Sequence, residues 1–458
     1  MWYHFPIPFI GLLLLGSLVK NRGDLLSPAN ILCGFYFIVC VASLFIDINN
    51  FVGAYDVNDI RITVLGFTLL LIVALSPCFF IRKPDTSVLY AYAERARPVL
   101  FLLSLLGIYG FAFHIPYALQ GIVVNTYVLR ELREAEILTP SPLLTAAVVP
   151  STFFALYGLL LSSPIASRCG RFTKMGLLAG FLCYALNNLC QGGRDWVIQY
   201  LFLFVFYCWM FGKTWERRLK RLIAVFAFCM ALLGIASFTK STLERFGDQG
   251  LGTGVVEGTV SYLGQQVFIF VETVAKEDFT TDWPQIMLPM YYTIAGGEMA
   301  DRAQYFRRRT ERYEHSFGTF LASFYPVGGW GGLTTFAVAF GLLFSGSFAW
   351  CLRRGKVSGY VALLLLYYQF MFQGAFSWFM YGRAWNVYVV VMLLGAFLAV
   401  LSIGIPRRRG QGNGEPKPAA NGTQVDAWRN VLESGLQRHD RVTHSVTVHA
   451  LGRESRLM

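Results

Sequence analysis

Long apolar runs recur along the whole chain and are separated by short polar stretches. Runs near 2–19, 29–46, 62–81, 98–119, 143–162, 175–190, 196–212, 222–238, 327–351, 357–376 and 384–405 predict eleven membrane-crossing helices. Each is near the roughly 17–25 residues that a helix needs to traverse the hydrocarbon layer. The alternating ten-residue signature of a membrane barrel is not seen. The expected fold class is therefore all-α: a polytopic membrane protein with about 11 transmembrane helices. The first run, "MWYHFPIPFIGLLLLGSLVK", has no basic segment before it and no small-residue cleavage site after it, so it reads as a retained span.

Two segments depart from this pattern. Residues 239–325 form one large loop in which acids outnumber bases. Inside it "GTVSYLGQQVFIFVETV" is too short and too polar to span, which predicts an interfacial or re-entrant helix. The second departure is the tail at 406–458, which begins "PRRRGQGNGEPKPAANGTQ" and has a linker's composition. Within the tail, Val425, Trp428, Leu432 and Leu436 are spaced like one face of a short amphipathic helix. The organisation expected is thus spans 1–8 over 1–238, the large loop over 239–325, spans 9–11 over 326–405, and the tail.

Charge gives the chain a direction. The connections on one side carry Lys20 and Arg22; Arg82, Lys83, Arg95 and Arg97; Arg168, Arg171 and Lys174; Lys213, Arg217, Arg218, Lys220 and Arg221; Arg353, Arg354 and Lys356. The short connections on the other side carry only Arg61, Arg130, Arg133, Arg194 and Arg383. The positive-inside rule places the first set in the cytoplasm, with the N-terminus outside and the C-terminus inside. The net charge of +12 is then topological and does not mark a nucleic-acid footprint. Composition agrees, with 55% hydrophobic and 14% charged residues, too little charge to cover a soluble protein of this length. The nine cysteines lie almost entirely in apolar runs and do not read as a disulfide framework.

Ionisable groups at membrane depth are costly, so they are the first candidates for chemistry. Four outward-facing places concentrate them. Arg194 and Asp195 lie between two apolar runs, after only "QGG". Lys240 and Arg245 follow the eighth run, and Arg383 precedes the last. The stretch Gly296 to Gly318, "GGEMADRAQYFRRRTERYEHSFG", packs five arginines, four carboxylates and His315 together. Arginine at such places suits a phosphate or diphosphate, because its planar fork binds two oxygens and stays charged. For any one of these arginines, snorkelling to lipid headgroups is the simpler account. Several on one face point toward a site for an anionic, lipid-linked substrate. Glu298, Asp301 and Glu314 could deprotonate a sugar hydroxyl, with His315 as the neutral-pH alternative. Metal-ligand spacing, a P-loop and G-x-S-x-G are all absent, so neither metal nor cofactor is expected. His4, His114, His439, His444 and His449 are scattered.

The "GGR" turn opening an apolar helix, the large late loop, and "HSFGTFLASFYPVGGWGGLTTFAVAFGLL" entering the next span resemble the Wzy-type oligosaccharide repeat-unit polymerases of bacterial inner membranes. The likeness covers roughly residues 175–400, and the enterobacterial common antigen polymerases look closest. Those carry "GTR" where this chain has Gly192 to Arg194, and "KRYG" where it has "LERFG" at Leu243 to Gly247. Their "HSG…SPTLIG" resembles His315 to Phe324, and their arginine before the final span resembles Arg383. Some members also place an Arg and a Gly in the large loop with ten residues between them, as Arg307 and Gly318 stand here.

The resemblance implies a GT-C-like glycosyltransferase with its large loop in the periplasm. It would transfer a glycan from undecaprenyl diphosphate to the non-reducing end of a lipid-linked repeat unit. Arg194, Lys240, Arg245, Arg302, Arg307 and Arg383 would hold the diphosphate, and Asp195 would orient Arg194. A flippase and a chain-length regulator would be partners, beside membrane lipid and the lipid-linked oligosaccharide. Three other readings compete. An O-antigen ligase shares the donor and would use a catalytic histidine, for which His315 is available. A lipid-linked oligosaccharide flippase usually has more spans and no loop this large. A structural partner of a chain-length regulator would have no chemistry of its own.

Overall fold

The computed structural model describes residues 2–46, 57–123, 142–191, 195–215, 263–276 and 319–375, with isolated positions between 217 and 260. The chain divides into two compact units, Met1–Ala399 and Val400–Met458, and every described residue belongs to the first. Among the described residues the structure is all-helical, without a strand. Five helical stretches among the described residues are long and apolar enough to cross a membrane: Trp2–Lys20, Pro28–Phe45, Asp59–Phe80, Ala96–Leu119 and Gly328–Arg353. Each lies within three residues of a run read from the sequence.

Among the described residues the α-helices are α1 (Pro6–Lys20), α2 (Pro28–Ala42), α3 (Val57–Leu75), α4 (Ala93–Val123), α5 (Pro142–Thr152), α6 (Phe154–Ser162), α7 (Arg171–Gln191), α8 (Asp195–Phe211), α9 (Gln266–Lys276), α10 (Phe320–Arg353) and α11 (Val357–Gln373). The predicted span at 143–162 is found as two short helices, α5 and α6. Pro150 supplies no amide hydrogen, and the hydroxyls of Ser151 and Thr152 bond back to the Val148 carbonyl at 2.7 and 3.1 Å. That combination bends a helix, and the chain breaks at Phe153. Local chemistry also sets the turns. Ser27 accepts from the amide of Asn30 ahead of Pro28, which starts α2. Gly355, at φ +63°, lets the amides of Gly355 and Lys356 cap Leu352 and Cys351 and close α10.

Lipid gives apolar helices little reason to prefer each other, so close packing and hydrogen bonds must hold the bundle. The most extensive pairing joins α4 and α7. There Gly107 faces Gly176 and Gly180 so tightly that a side chain on Gly107 would sit 2.9 Å from the Gly180 amide nitrogen. Elsewhere buried tyrosines tie helices to the backbone of their neighbours. Tyr36 donates to Met371 (2.7 Å), Tyr157 to Leu103 (2.9 Å), Tyr207 to Ala155 (2.6 Å), Tyr367 to Ala74 (3.0 Å) and Tyr368 to Phe202 (3.1 Å). Tyr200 likewise bonds the Phe181 carbonyl. Each carbonyl has a lone pair to spare beyond its helix bond, and each interhelical bond is worth about 0.6 kcal/mol, up to ~1.7. The outer faces are apolar: Leu12, Leu15 and Val19 on α1, Ile62 and Leu69 on α3, and Leu102 and Leu105 on α4 are all exposed. Hydrogen-bonded polar groups inside an apolar rim invert the arrangement of a soluble protein and suit lipid.

One end of the bundle gathers the basic connections. Lys20 donates to the Phe79 carbonyl. The Trp209 indole donates to Asp24 at 2.9 Å while Lys83 lies over its ring. The Tyr360 hydroxyl accepts from the Arg82 amide and donates to the Arg82 carbonyl, both at 2.8 Å. Arg97 bonds the Arg168 carbonyl at 3.0 Å, and both arginines reach Glu94. Asp85, beside this cluster, accepts from Ser87, and that bonding holds its carboxyl below the usual carboxylate range.

Candidate functional site

The opposite end, where α1, α3 and α8 begin and α2 and α11 finish, is built differently. Two elements there interrupt the pattern of straight spans. The first is α9, only eleven residues long. It packs with Phe268 on Tyr3 (ring centroids 4.6 Å) and Phe270 on Phe67 (5.3 Å) and Trp330 (5.8 Å). Its start abuts the Ala42 carbonyl at the end of α2. A helix resting on a membrane surface would show a free face. This one shows none, because every residue from Gln265 to Thr273 is buried.

The second is the break in α10. Gly328 and Gly329 leave helical geometry, Gly329 with φ 57° and ψ −150°, a region open essentially to glycine alone. The short piece before the break folds against the longer piece beyond it, so that Phe324 stacks on Phe336 at 4.0 Å. It is anchored by the Phe320 amide, which donates to the Gly374 carbonyl past the end of α11 at 2.6 Å. Irregular backbone within a membrane bundle is tolerated where protein or an aqueous cavity surrounds it.

Polar side chains are buried among these elements. Gln369 of α11 donates to Gln199 of α8 at 3.1 Å, with both residues buried. Thr319 is buried at the start of α10, and Gln265, Gln266, Glu272 and Thr273 are buried on or beside α9. Thr273 bonds back to the Ile269 carbonyl at 2.7 Å. Three buried polar atoms at this end have no hydrogen-bond partner among the described residues: His4 Nδ1, Trp196 Nε1 and Gln265 Nε2. An orphaned buried donor or acceptor costs about 1–3 kcal/mol, and such groups are rare unless something comes to meet them. Among the described residues no three His, Cys, Asp or Glu side chains gather as metal ligands.

The residues singled out from sequence fall elsewhere in the chain. Arg194, Lys240, Arg245, Glu298, Asp301, Arg302, Arg307, Glu314, His315 and Arg383 lie outside the described residues, and Asp195 is described only as the first residue of α8. Between Gln191, which ends α7, and Asp195 stand just the three residues Gly192, Gly193 and Arg194. Trp196, whose indole nitrogen has no hydrogen-bond partner among the described residues, follows Asp195 and is 1% exposed. Sequence reading missed Glu272, which it counted as one more acid of the large loop. The signal was in the spacing: 265, 266, 269, 272 and 273 share one helical face, and four of those five are polar. No protein-family model, curated protein or solved structure matches this chain.

Proposed function

We propose that this protein is a bacterial inner-membrane polysaccharide polymerase. It transfers a glycan from undecaprenyl diphosphate to a lipid-linked repeat unit, with the basic end of the bundle in the cytoplasm and the N-terminal end facing the periplasm. The observation that carries this reading is that three buried polar atoms without a hydrogen-bond partner among the described residues, His4 Nδ1, Trp196 Nε1 and Gln265 Nε2, lie at the end opposite the basic loops, Trp196 two residues after Arg194 in the sequence. A purely structural bundle gains nothing from orphaned groups there, whereas a site that receives a polar headgroup from the membrane uses them. The resemblance of the "GGR" and "HSFG" stretches to Wzy-type polymerases supplies the reaction.

On this reading the acceptor hydroxyl attacks the anomeric carbon of the donor sugar, the bond from that carbon to the diphosphate oxygen breaks, and undecaprenyl diphosphate leaves with the electron pair. Arg194, Arg383 and the arginines and lysine of the large loop would stabilise the departing charge. Two lipid anchors held in one hollow would bring donor and acceptor together. The test is direct. Purified protein, given lipid-linked repeat units extracted from cells that lack it, should yield a ladder of longer lipid-linked glycans. Unchanged substrate from folded protein overturns the proposal, and product found only on lipid A-core identifies a ligase.

A further inference from the structure

We infer that α9 is the acceptor-binding element, with the face bearing Gln265, Gln266, Glu272 and Thr273 receiving the hydroxyl groups of the incoming sugar; this rests on the polymerase reading above. The face is unusual in its direction. In an amphipathic helix beside lipid or water, polar residues turn outward. Here Phe268 and Phe270 meet the rings of Tyr3, Phe67 and Trp330, Val267 and Val271 are buried, and the polar face is buried as well. The Ile269 amide bonds the Gln265 carbonyl at 2.9 Å, so helical spacing extends back to Gln265 and sets its side chain on the same face as Glu272.

Gln265 makes the case for a ligand. Its residue is 5% exposed, and its amide nitrogen, with two hydrogens to give, has no acceptor among the described residues. Glu272 is 5% exposed on the same face. A buried carboxylate costs several kcal/mol, and a membrane protein keeps such groups where they work. Amide, hydroxyl and carboxylate on one helical face form a set that reads the alternating donors and acceptors of a sugar. In the transfer step Glu272 takes the proton of the attacking hydroxyl as the new glycosidic bond forms, and later releases it to water. It carries out the general-base role.

The test uses the intact purified protein in liposomes, with lipid-linked repeat units extracted from cells lacking it as the probe. Rates are followed against acceptor concentration and pH. Glu272→Gln should lower kcat at least 100-fold, with Glu272→Asp recovering part of it and shifting the pH profile. Gln265→Leu should raise KM about 10-fold while kcat and the thermal midpoint stay unchanged, since the amide nitrogen it removes has no acceptor among the described residues. A Glu272→Gln rate within twofold of wild type, or an unchanged KM in Gln265→Leu, overturns the inference. Should Glu272→Gln fail to fold, Gln265→Leu alone decides. Failure of the wild-type protein to build any ladder overturns the polymerase reading itself, a separate outcome from a working enzyme indifferent to these two changes.

Discussion

At the basic end of the bundle, side chains satisfy one another locally: Tyr360 serves both the amide and the carbonyl of Arg82, and Trp209 bridges Asp24 and Lys83. At the opposite end, Trp196 and Gln265 are buried and His4 is half-buried, each with a buried polar atom that meets no hydrogen-bond partner among the described residues. There too α10 is broken at two glycines, and a short helix is enclosed where one resting on the membrane surface or re-entering it was expected. The first end resembles a finished joint. The second holds unused hydrogen-bonding capacity next to irregular backbone, the combination that sites for polar ligands share and mechanical joints avoid. Stability and activity should therefore divide between the two ends, and substitutions can show whether they do.

The largest effect is expected from the guanidinium groups assigned to the diphosphate. Arg194→Ala or Arg383→Ala should cut ladder formation about 100- to 1000-fold, the loss seen when one preorganised charge-stabilising donor is removed, with folded yield unchanged. Full activity in both variants would break the comparison at its functional end. Next comes the break in α10. Gly329→Ala forces a side chain into backbone geometry that glycine alone tolerates, and should cost ~1–3 kcal/mol of stability together with part of the activity. A thermal shift with turnover intact would separate the kink from the site. The smallest effect belongs to the basic end: Tyr360→Phe removes both bonds to Arg82 and should lower stability by about 1–2 kcal/mol in thermal unfolding while leaving the ladder unchanged.

Much of the helical framework was legible from hydropathy, because length and apolar content are what a bilayer demands. The runs at 2–19 and 98–119 end within two residues of the membrane-length apolar stretches Trp2–Lys20 and Ala96–Leu119. What hydropathy could not give was a bend made by hydrogen bonds. Pro150, Ser151 and Thr152 break the fifth run without changing its apolar character. The segment containing α9 was recognised as too short to span, yet its burial was not legible, since a helix of mixed polarity looks alike whether protein or a headgroup layer covers it. Glu272 was lost for the same reason: among the acids of a long loop, nothing but its seven-residue distance from Gln265 sets it apart. The arginine and carboxylate candidates were chosen by residue type and position, and the described residues bring none of them together.

The tyrosine bonds between helices have one more effect. In each, a side chain on one helix grips the main chain of another, so the gripped position can be occupied by almost any residue. Register between neighbouring spans is then set without a matching pair of side chains. A bundle joined in this manner can drift far in composition and keep its architecture, leaving few correlated positions by which its descent could be traced.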